Sequence, residues 1–182
     1  YPIAQYPSLA DLDGSGSLDI VFFSGNDSLS FLYALNNSGQ IFPNFPIQIT
    51  GQVRHGPSLT DLNRDGSGNI IFSIGSEIYA FDQAGNILNG FPIYGDTTYS
   101  TPVTLLDITN DSSIEILVGD YNGFIYIYDM NGDMVDNYNV ENHISSGIST
   151  GDLDQNGEFE LIFSSGNNYL HSWEVINNQE LE

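Results

Sequence analysis

The sequence predicts an all-β chain built from four like sheets, and three observations carry that prediction. An acidic loop, glycine-bearing in three of its copies, recurs four times, beginning at Asp11, Asp61, Asp107 and Asp152. Each copy runs straight into a short apolar stretch rich in β-branched and aromatic residues, at 20–23, 70–72, 116–118 and 161–163. No stretch holds apolar residues at the 3.6-residue period of an amphipathic helix, so helix is expected to be negligible. The loop starts lie 45 to 50 residues apart, a period typical of propeller blades and solenoid repeats. The expected fold is a β-propeller of four blades, either a closed small ring or part of a larger or assembled propeller.

Each period reads as four short strands separated by Asn, Asp and Gly turns. In the first, residues 7–10 lead into the acidic loop and 20–23 leave it. Residues 25–27 turn, 31–35 form a third strand, and 36–39 turn again toward Phe45-Pro46-Ile47. The second repeats this with 78–81, a turn at 82–85 and Phe91-Pro92-Ile93; the third with 124–128, a turn at 129–132 and 138–140. The fourth offers 169–173 and then Asn177-Asn178, with no clear last strand. One repeat domain over 1–182 follows, with blades at about 5–50, 51–96, 97–141 and 142–182. Tyr1-Pro2-Ile3 matches the Phe-Pro-Ile tails, so residues 1–4 are expected to be a strand of the preceding or closing blade. An unpaired edge strand is a liability that proteins cover; excision from, or assembly into, a larger propeller therefore ranks ahead of self-closure.

The net charge is −22, from 24 acidic residues against Arg54 and Arg64 alone. Such a field repels nucleic acid and anionic membranes and attracts cations. Half of the acid, 12 residues, sits in the 36 loop positions, which general solubility does not explain. The chain has no cysteine, so neither disulfides nor thiolate chemistry is available to it. Nothing resembles a signal peptide, and no apolar run approaches the ~18 residues of a membrane span. With 40% hydrophobic residues, 11 Tyr and 11 Phe, the chain is globular rather than a disordered acidic tail.

Oxygen-bearing side chains fall at loop positions 1, 3, 5 and 9, with glycine at position 6 in three copies. Alternating residues of a tight loop can aim at one centre, and hard oxygen donors in loose geometry suit Ca²⁺. Four copies in register are a stronger signal than any one. The competing reading is a set of Asp/Asn/Gly turns that cap hairpins without metal. Carboxylates ~5 Å apart repel by roughly 3 kcal/mol per pair at an effective dielectric near 20, and this favours a cation. The loops are not EF-hands, because Phe22 and Phe72 hold the twelfth position of the first two and strands flank them.

The pattern Asp-x-Asp-x-Asp-Gly-x-x-Asp before a hydrophobic strand, met best at 11–19 and 152–160, resembles the FG-GAP/VCBS repeat family. These are the blades of integrin-α-type β-propellers, and the resemblance covers essentially the whole chain. The Tyr-Ala-Leu/Phe strands and Gly90-Phe91-Pro92-Ile93 look like repeats of secreted bacterial proteins of that group, while the Phe-Gly and Gly-Ala-Pro signatures of integrin blades are missing. The resemblance implies side-chain ligands at positions 1, 3, 5 and 9 and a backbone carbonyl at 7. The first site would use Asp11, Asp13, Ser15, the Ser17 carbonyl and Asp19; the second, Asp61, Asn63, Asp65, the Ser67 carbonyl and Asn69. The third would use Asp107, Thr109, Asp111, the Ser113 carbonyl and Glu115; the fourth, Asp152, Asp154, Asn156, the Glu158 carbonyl and Glu160. Site two has two carboxylates and is expected to be weaker; in site three Ser112 replaces glycine and strains the turn.

Up to four Ca²⁺ would bring the formal charge from −22 to −14 and ease self-repulsion. Extracellular calcium modules work at ~10⁻⁴–10⁻³ M, so a secreted or cell-surface setting is expected. No nucleophile elbow, phosphate loop or His-Glu-x-x-His occurs, and His55, His143 and His171 form no zinc spacing; catalysis is not expected. The acceptor patterns for glycosylation at Asn26, Asn36 and Asn110 are of a kind that arises by chance in an Asn-rich chain. The aromatic residues are expected in the inter-blade core rather than on a sugar platform. The expected function is a non-catalytic calcium-binding extracellular module for adhesion to a protein or glycan, with no nucleic acid and no membrane insertion. The alternatives are a structural subunit that self-assembles with copies of itself by exchange of its terminal strands, and an accessory domain of a secreted hydrolase.

Overall fold

A computed structural model describes residues 2–3, 5–108, 111–176 and 180–181. Among the described residues there are sixteen strands and no helix, so none is long and apolar enough to cross a membrane. The strands form four antiparallel four-stranded sheets, each in simple sequential order. The first holds β1 (Ser8–Ala10), β2 (Asp19–Gly25), β3 (Leu29–Leu35) and β4 (Ile47–Thr50). The second holds β5 (Ser58–Thr60), β6 (Asn69–Ile74), β7 (Glu77–Phe81) and β8 (Ile93–Tyr94). The third holds β9 (Thr104–Leu106), β10 (Glu115–Gly119), β11 (Phe124–Tyr128) and β12 (Met134–Asn139). The fourth holds β13 (Ser149–Gly151), β14 (Glu160–Ser164), β15 (Leu170–Ile176) and β16 (Glu180–Leu181). Four such meanders, one per sequence repeat, are the blades of a β-propeller.

The blades divide into two compact units, Tyr1–Asp96 and Thr97–Glu182. In the first unit β1 and β5 run side by side, and Val21, Phe23, Leu32 and Ala34 of one blade pack with Ile70, Phe72 and Phe81 of the next. Phe23 meets Phe72 edge-to-face at 4.9 Å, a preferred aromatic geometry. The period-2 alternation of β3 turns Ser30, Leu32 and Ala34 into this core and leaves Leu29, Phe31, Tyr33 and Leu35 half-buried. β6 is buried along its whole length, as expected of a strand covered on both faces. Gly56 admits the neighbouring blade: a Cβ there would lie 2.4 Å from the Tyr6 ring. In the second unit Leu117, Ile125 and Ile127 pack with Leu161 and Phe163 in the same way.

One turn design joins the third and fourth strands of three blades. Asn36, Asp82 and Asp129 each accept backbone N–H groups two and four residues on with one Oδ1, at 2.7–3.0 Å. This is the local bonding that suits Asx residues to turns.

The fourth strands depart from the expected boundaries. Phe45–Pro46 and Phe91–Pro92 are cis and stand before β4 and at the edge of β8 rather than within a ladder, because proline has no N–H to donate. β12 begins at Met134, earlier than expected, with a bulge opposite Ile127 and Tyr128. The fourth blade, expected to lack a last strand, has one in β16, which pairs Glu180 with Ile176 and Leu181 with Val175. Asn177 and Asn178, expected there, lie outside the described residues.

The N-terminal segment is not a spare outer strand. Ile3 bridges Ser24, and the Pro2 carbonyl accepts the Gly25 N–H at 3.1 Å. The same antiparallel bridges join Tyr99 to Asp120 and Ile144 to Ser165. Residues 2–3 therefore continue the inner edge of the first blade, although Tyr1-Pro2-Ile3 matches the Phe-Pro-Ile tails in sequence. Tyr1 and Ala4 lie outside the described residues.

Candidate metal centres

Each acidic loop connects the first strand of a blade to the second, and the position-5 N–H donates to the position-1 carboxylate in all four. In loops one, two and four that carboxylate also accepts the backbone N–H of position 6. Asp11 takes those of Ser15 (2.9 Å) and Gly16 (2.7 Å), Asp61 those of Asp65 (3.0 Å) and Gly66 (2.9 Å). Asp152 takes those of Asn156 (3.1 Å) and Gly157 (3.0 Å), and Asp107 takes that of Asp111 (3.1 Å). Positions 4 and 6 sit at positive φ: Gly14 and Gly16, Arg64 and Gly66, Gln155 and Gly157, with Ser112 at position 6 of loop three at 74°. Glycine reaches this region without a Cβ penalty, and serine does not.

Position 9 plays a part the spacing did not disclose. One oxygen of Asp19, Asn69, Glu115 and Glu160 accepts the backbone N–H of position 2, from Leu12 (2.9 Å), Leu62 (2.8 Å), Ile108 (2.8 Å) and Leu153 (2.6 Å). All four acceptors are buried. A buried carboxylate needs an opposite charge or full hydrogen bonding, and two arginines face 24 acids in this chain. The sequence signal that marks this bond is the apolar residue at position 2, beside the acid at position 1.

Loop one draws its acids closest. Single oxygens of Asp11, Asp13 and Asp19 all come within 4.8 Å of one another, the one such group of three acidic or imidazole side chains among the described residues. Ser15 completes the ring, donating its N–H to Asp13 at 3.1 Å and accepting that of Ser17 at 3.4 Å. The Ser15 hydroxyl, hydrogen-bonded to Asp13, holds that carboxyl below the usual carboxylate range.

Loop two brings Asp61, Asn63, Asp65, Ser67 and Asn69 together with a telling defect. Asn63 Nδ2 donates to Asp65 at 3.0 Å, while Asn63 Oδ1 is buried without a partner. Such an orphaned acceptor fits a site that takes a cation. Asn69 spends Oδ1 on the N–H groups of Leu62 and Asn63, at 2.8 and 3.3 Å, and its Nδ2 is buried without a partner. Turning the amide over would strand the Leu62 N–H, so the network assigns the orientation. Where Asp19 has a second oxygen to offer, Asn69 presents an N–H₂ group, which cannot coordinate a cation. The Ser67 N–H hydrogen-bonded to Asp65, followed by Asn63, keeps the Asp65 carboxyl below its ordinary range.

In loop three Ser113 donates its N–H to Asp111 at 2.6 Å and Glu115 holds Ile108, while Thr109 lies outside the described residues. In loop four Asn156 donates its N–H to Asp152 and Asp154, and its Oδ1 accepts the Glu158 N–H at 2.7 Å. Its Nδ2 donates to Glu174 at 2.5 Å and Asp154 at 3.4 Å. Asn69 apart, the loop side chains offer oxygen donors, and these fit a hard divalent cation better than a transition metal. The loops of the first two blades abut, with the Gly68 N–H donating to the Leu12 carbonyl at 3.0 Å. The aromatic residues divide: Phe72 stacks in the core with Tyr79 at 5.6 Å and with Phe81 at 6.1 Å, whereas Tyr6, Tyr94, Tyr121, Phe159 and Tyr169 are exposed rather than in the expected inter-blade core.

Comparison with known proteins fits this picture at the level of fold. No protein-family profile matches the chain, and no curated protein does. Among solved structures it is similar to BBS1N in complex with ARL6DN, at 15% identity and a TM-score of 0.68, over 100% of this chain and 55% of that one. It is also similar to the V. cholerae biofilm matrix protein Bap1 at 21% identity and a TM-score of 0.66, over 93% of this chain and 30% of that one. The Dos1 propeller matches at 8% identity and a TM-score of 0.55, over 95% of this chain and 41% of that one. The chain thus spans about half or less of the solved chains it resembles. The class of protein these likenesses define is the β-propeller.

Proposed function

We propose that the chain is a calcium-stabilised propeller module of the FG-GAP/VCBS kind that binds protein partners and performs no catalysis. The observation that carries the reading is loop one, where three carboxylates converge within 4.8 Å at the mouth of β2. The orphaned Asn63 oxygen supports a second centre. When bound, Ca²⁺ would neutralise each loop and fix the strands that enter and leave it. Protein binding is favoured by two of the similar structures, one solved in complex with ARL6DN and the other a biofilm matrix protein. A secreted or cell-surface setting fits loops of modest affinity, which cytosolic calcium would leave empty.

Calcium titration by calorimetry tests the metal, with Asp11→Ala/Asp13→Ala as the control. Heat of binding that the double variant loses at its first site supports the reading; equal heats for both proteins overturn it. For partner binding, the purified chain is immobilised and probed with extracellular matrix protein, with calcium and with chelator. Retention that needs calcium supports the module, and equal passage under both conditions contradicts it.

A further inference from the structure

The four repeats make every blade position a fourfold comparison, and the residue facing the end of the acidic loop departs in the fourth blade. β3, β7 and β11 end at Leu35, Phe81 and Tyr128, paired with Ile20, Ile70 and Ile116. The residues that follow, Asn36, Asp82 and Asp129, turn an Oδ1 back to their own turns. β15 instead runs on through that position to Ile176, and there stands Glu174, directly opposite Glu160. Residues so paired share a face of the sheet, and like charges there are destabilising. Glu160 is buried, and the second unit holds neither lysine nor arginine to neutralise the pair.

A hydrogen bond into loop four explains the acid at this place. Glu174 Oε1 accepts from Asn156 Nδ2 at 2.5 Å. Asn156 is position 5 of the loop, and its Oδ1 accepts the Glu158 N–H at 2.7 Å. Turned over, the amide would set its oxygen against the Glu174 carboxylate and its N–H₂ against the Glu158 N–H, so the network assigns the orientation. An amide ligates a hard cation through its oxygen alone, and Oδ1 keeps a second lone pair for one. Loop two handles Asn63 in the same way, with Asp65 accepting from Nδ2 at 3.0 Å. There the holding carboxylate belongs to the loop. In loop four Asp154 reaches the Asn156 nitrogen only at 3.4 Å, and the short bond comes from β15.

We propose that Glu174 is a positioning residue of the fourth metal centre: it fixes Asn156 so that Oδ1, not Nδ2, faces a bound Ca²⁺. Outer hydrogen bonds that orient a ligand in this way are a regular part of metal sites. The inference rests on the calcium reading and deepens it, adding to one centre a residue from outside the loop pattern. It also accounts for an acid opposite Glu160, which costs the ion-free fold and serves the bound one.

The test reads the fourth centre with terbium, an oxygen-seeking cation that luminesces when a nearby indole is excited, and with its displacement by Ca²⁺. Trp173, the one tryptophan of the chain, adjoins Glu174, and Asp152→Ala, which removes position 1, should abolish the signal. Glu174→Ala should weaken Ca²⁺ at this centre by roughly 10–100-fold, with circular dichroism as the check on folding. In an Asn156→Asp background the same truncation should cost less than about threefold, because a carboxylate presents oxygen whichever way it turns. In chelator Glu174→Ala should melt no lower than the parent, since it relieves the pairing with Glu160; loss of a merely structural residue would lower that melt. Unchanged calcium affinity in Glu174→Ala, an equal loss in both backgrounds, or a lower melt in chelator overturns the proposal and leaves the calcium reading standing. A parent signal that ignores calcium, or that survives Asp152→Ala, overturns both at this loop.

Discussion

Replacing Asn69 with aspartate tests whether the second loop is built around a cation. Asn69 is fully buried, and its Oδ1 bond to the Leu62 N–H survives the change while the unpartnered Nδ2 becomes a second carboxylate oxygen. In loop one the acids converge within 4.8 Å. At that spacing and an effective dielectric of 20, each pair of carboxylates repels by about 3 kcal/mol. Asp61 and Asp65 are the neighbours, and solvent at exposed Asp65 screens its share. Losing the buried unpaired N–H₂ returns about 1–3 kcal/mol. The balance in chelator is a loss of about 3 kcal/mol, or a melting temperature lower by roughly 6–12 °C for a chain of this length. Calcium should offset much of that loss, since a third carboxylate binds it tighter and a 100-fold excess over Kd adds about 2.7 kcal/mol. Thermal unfolding followed by circular dichroism, parent and Asn69→Asp side by side, reads both effects. A variant more stable than the parent in chelator, or one with no larger calcium response, would refute the reasoning.

Three further outcomes follow from the packing and the backbone. Ser112→Gly should raise stability by about 1 kcal/mol, because Ser112 holds φ at 74° where glycine carries no Cβ penalty; unchanged denaturant midpoints would contradict this. Phe72→Ala should cost about 3–5 kcal/mol, since Phe72 is buried between Phe23, Tyr79 and Phe81, and urea unfolding measures it. Burial, then the hydrogen bond to Glu77, pushes the Tyr79 hydroxyl up to about 12 from 10.0. Burial and then Tyr128 push Tyr99 the same way. The folded state prefers neutral tyrosine, so this stabilisation is complete below pH 10 and is lost as pH rises through about 12. Tyr79→Phe should flatten that decline in denaturant midpoint; a parent whose midpoint holds steady across the window contradicts it.

The fold was legible because it repeats. Four acidic loops with one spacing, each followed by a run such as Ile70-Ile71-Phe72, fix where every central strand begins. Ends were harder, since proline marks a boundary without saying on which side the ladder lies. Pro46 precedes β4, whereas Pro2 belongs to the inner edge beside β2. Counting by the loop spacing pairs Ile3 with Val53, Tyr99 and Ile144 and reaches the right edge; matching Tyr-Pro-Ile to Phe-Pro-Ile does not. In the loops, residue type marked the oxygen donors but not their orientation. Asn69 carries an oxygen in sequence and turns it to the Leu62 backbone in the fold, a choice set by a buried N–H that spacing alone does not disclose.

Calcium-dependent thermal melting of the parent chain bears most directly on the claim that divalent cations hold the acidic mouths of these blades. Adding Ca²⁺ after chelation should raise the melting temperature markedly, and equal Mg²⁺ should do little, because Mg²⁺ demands a tighter octahedral shell. Coincident melts in calcium and in chelator would contradict it.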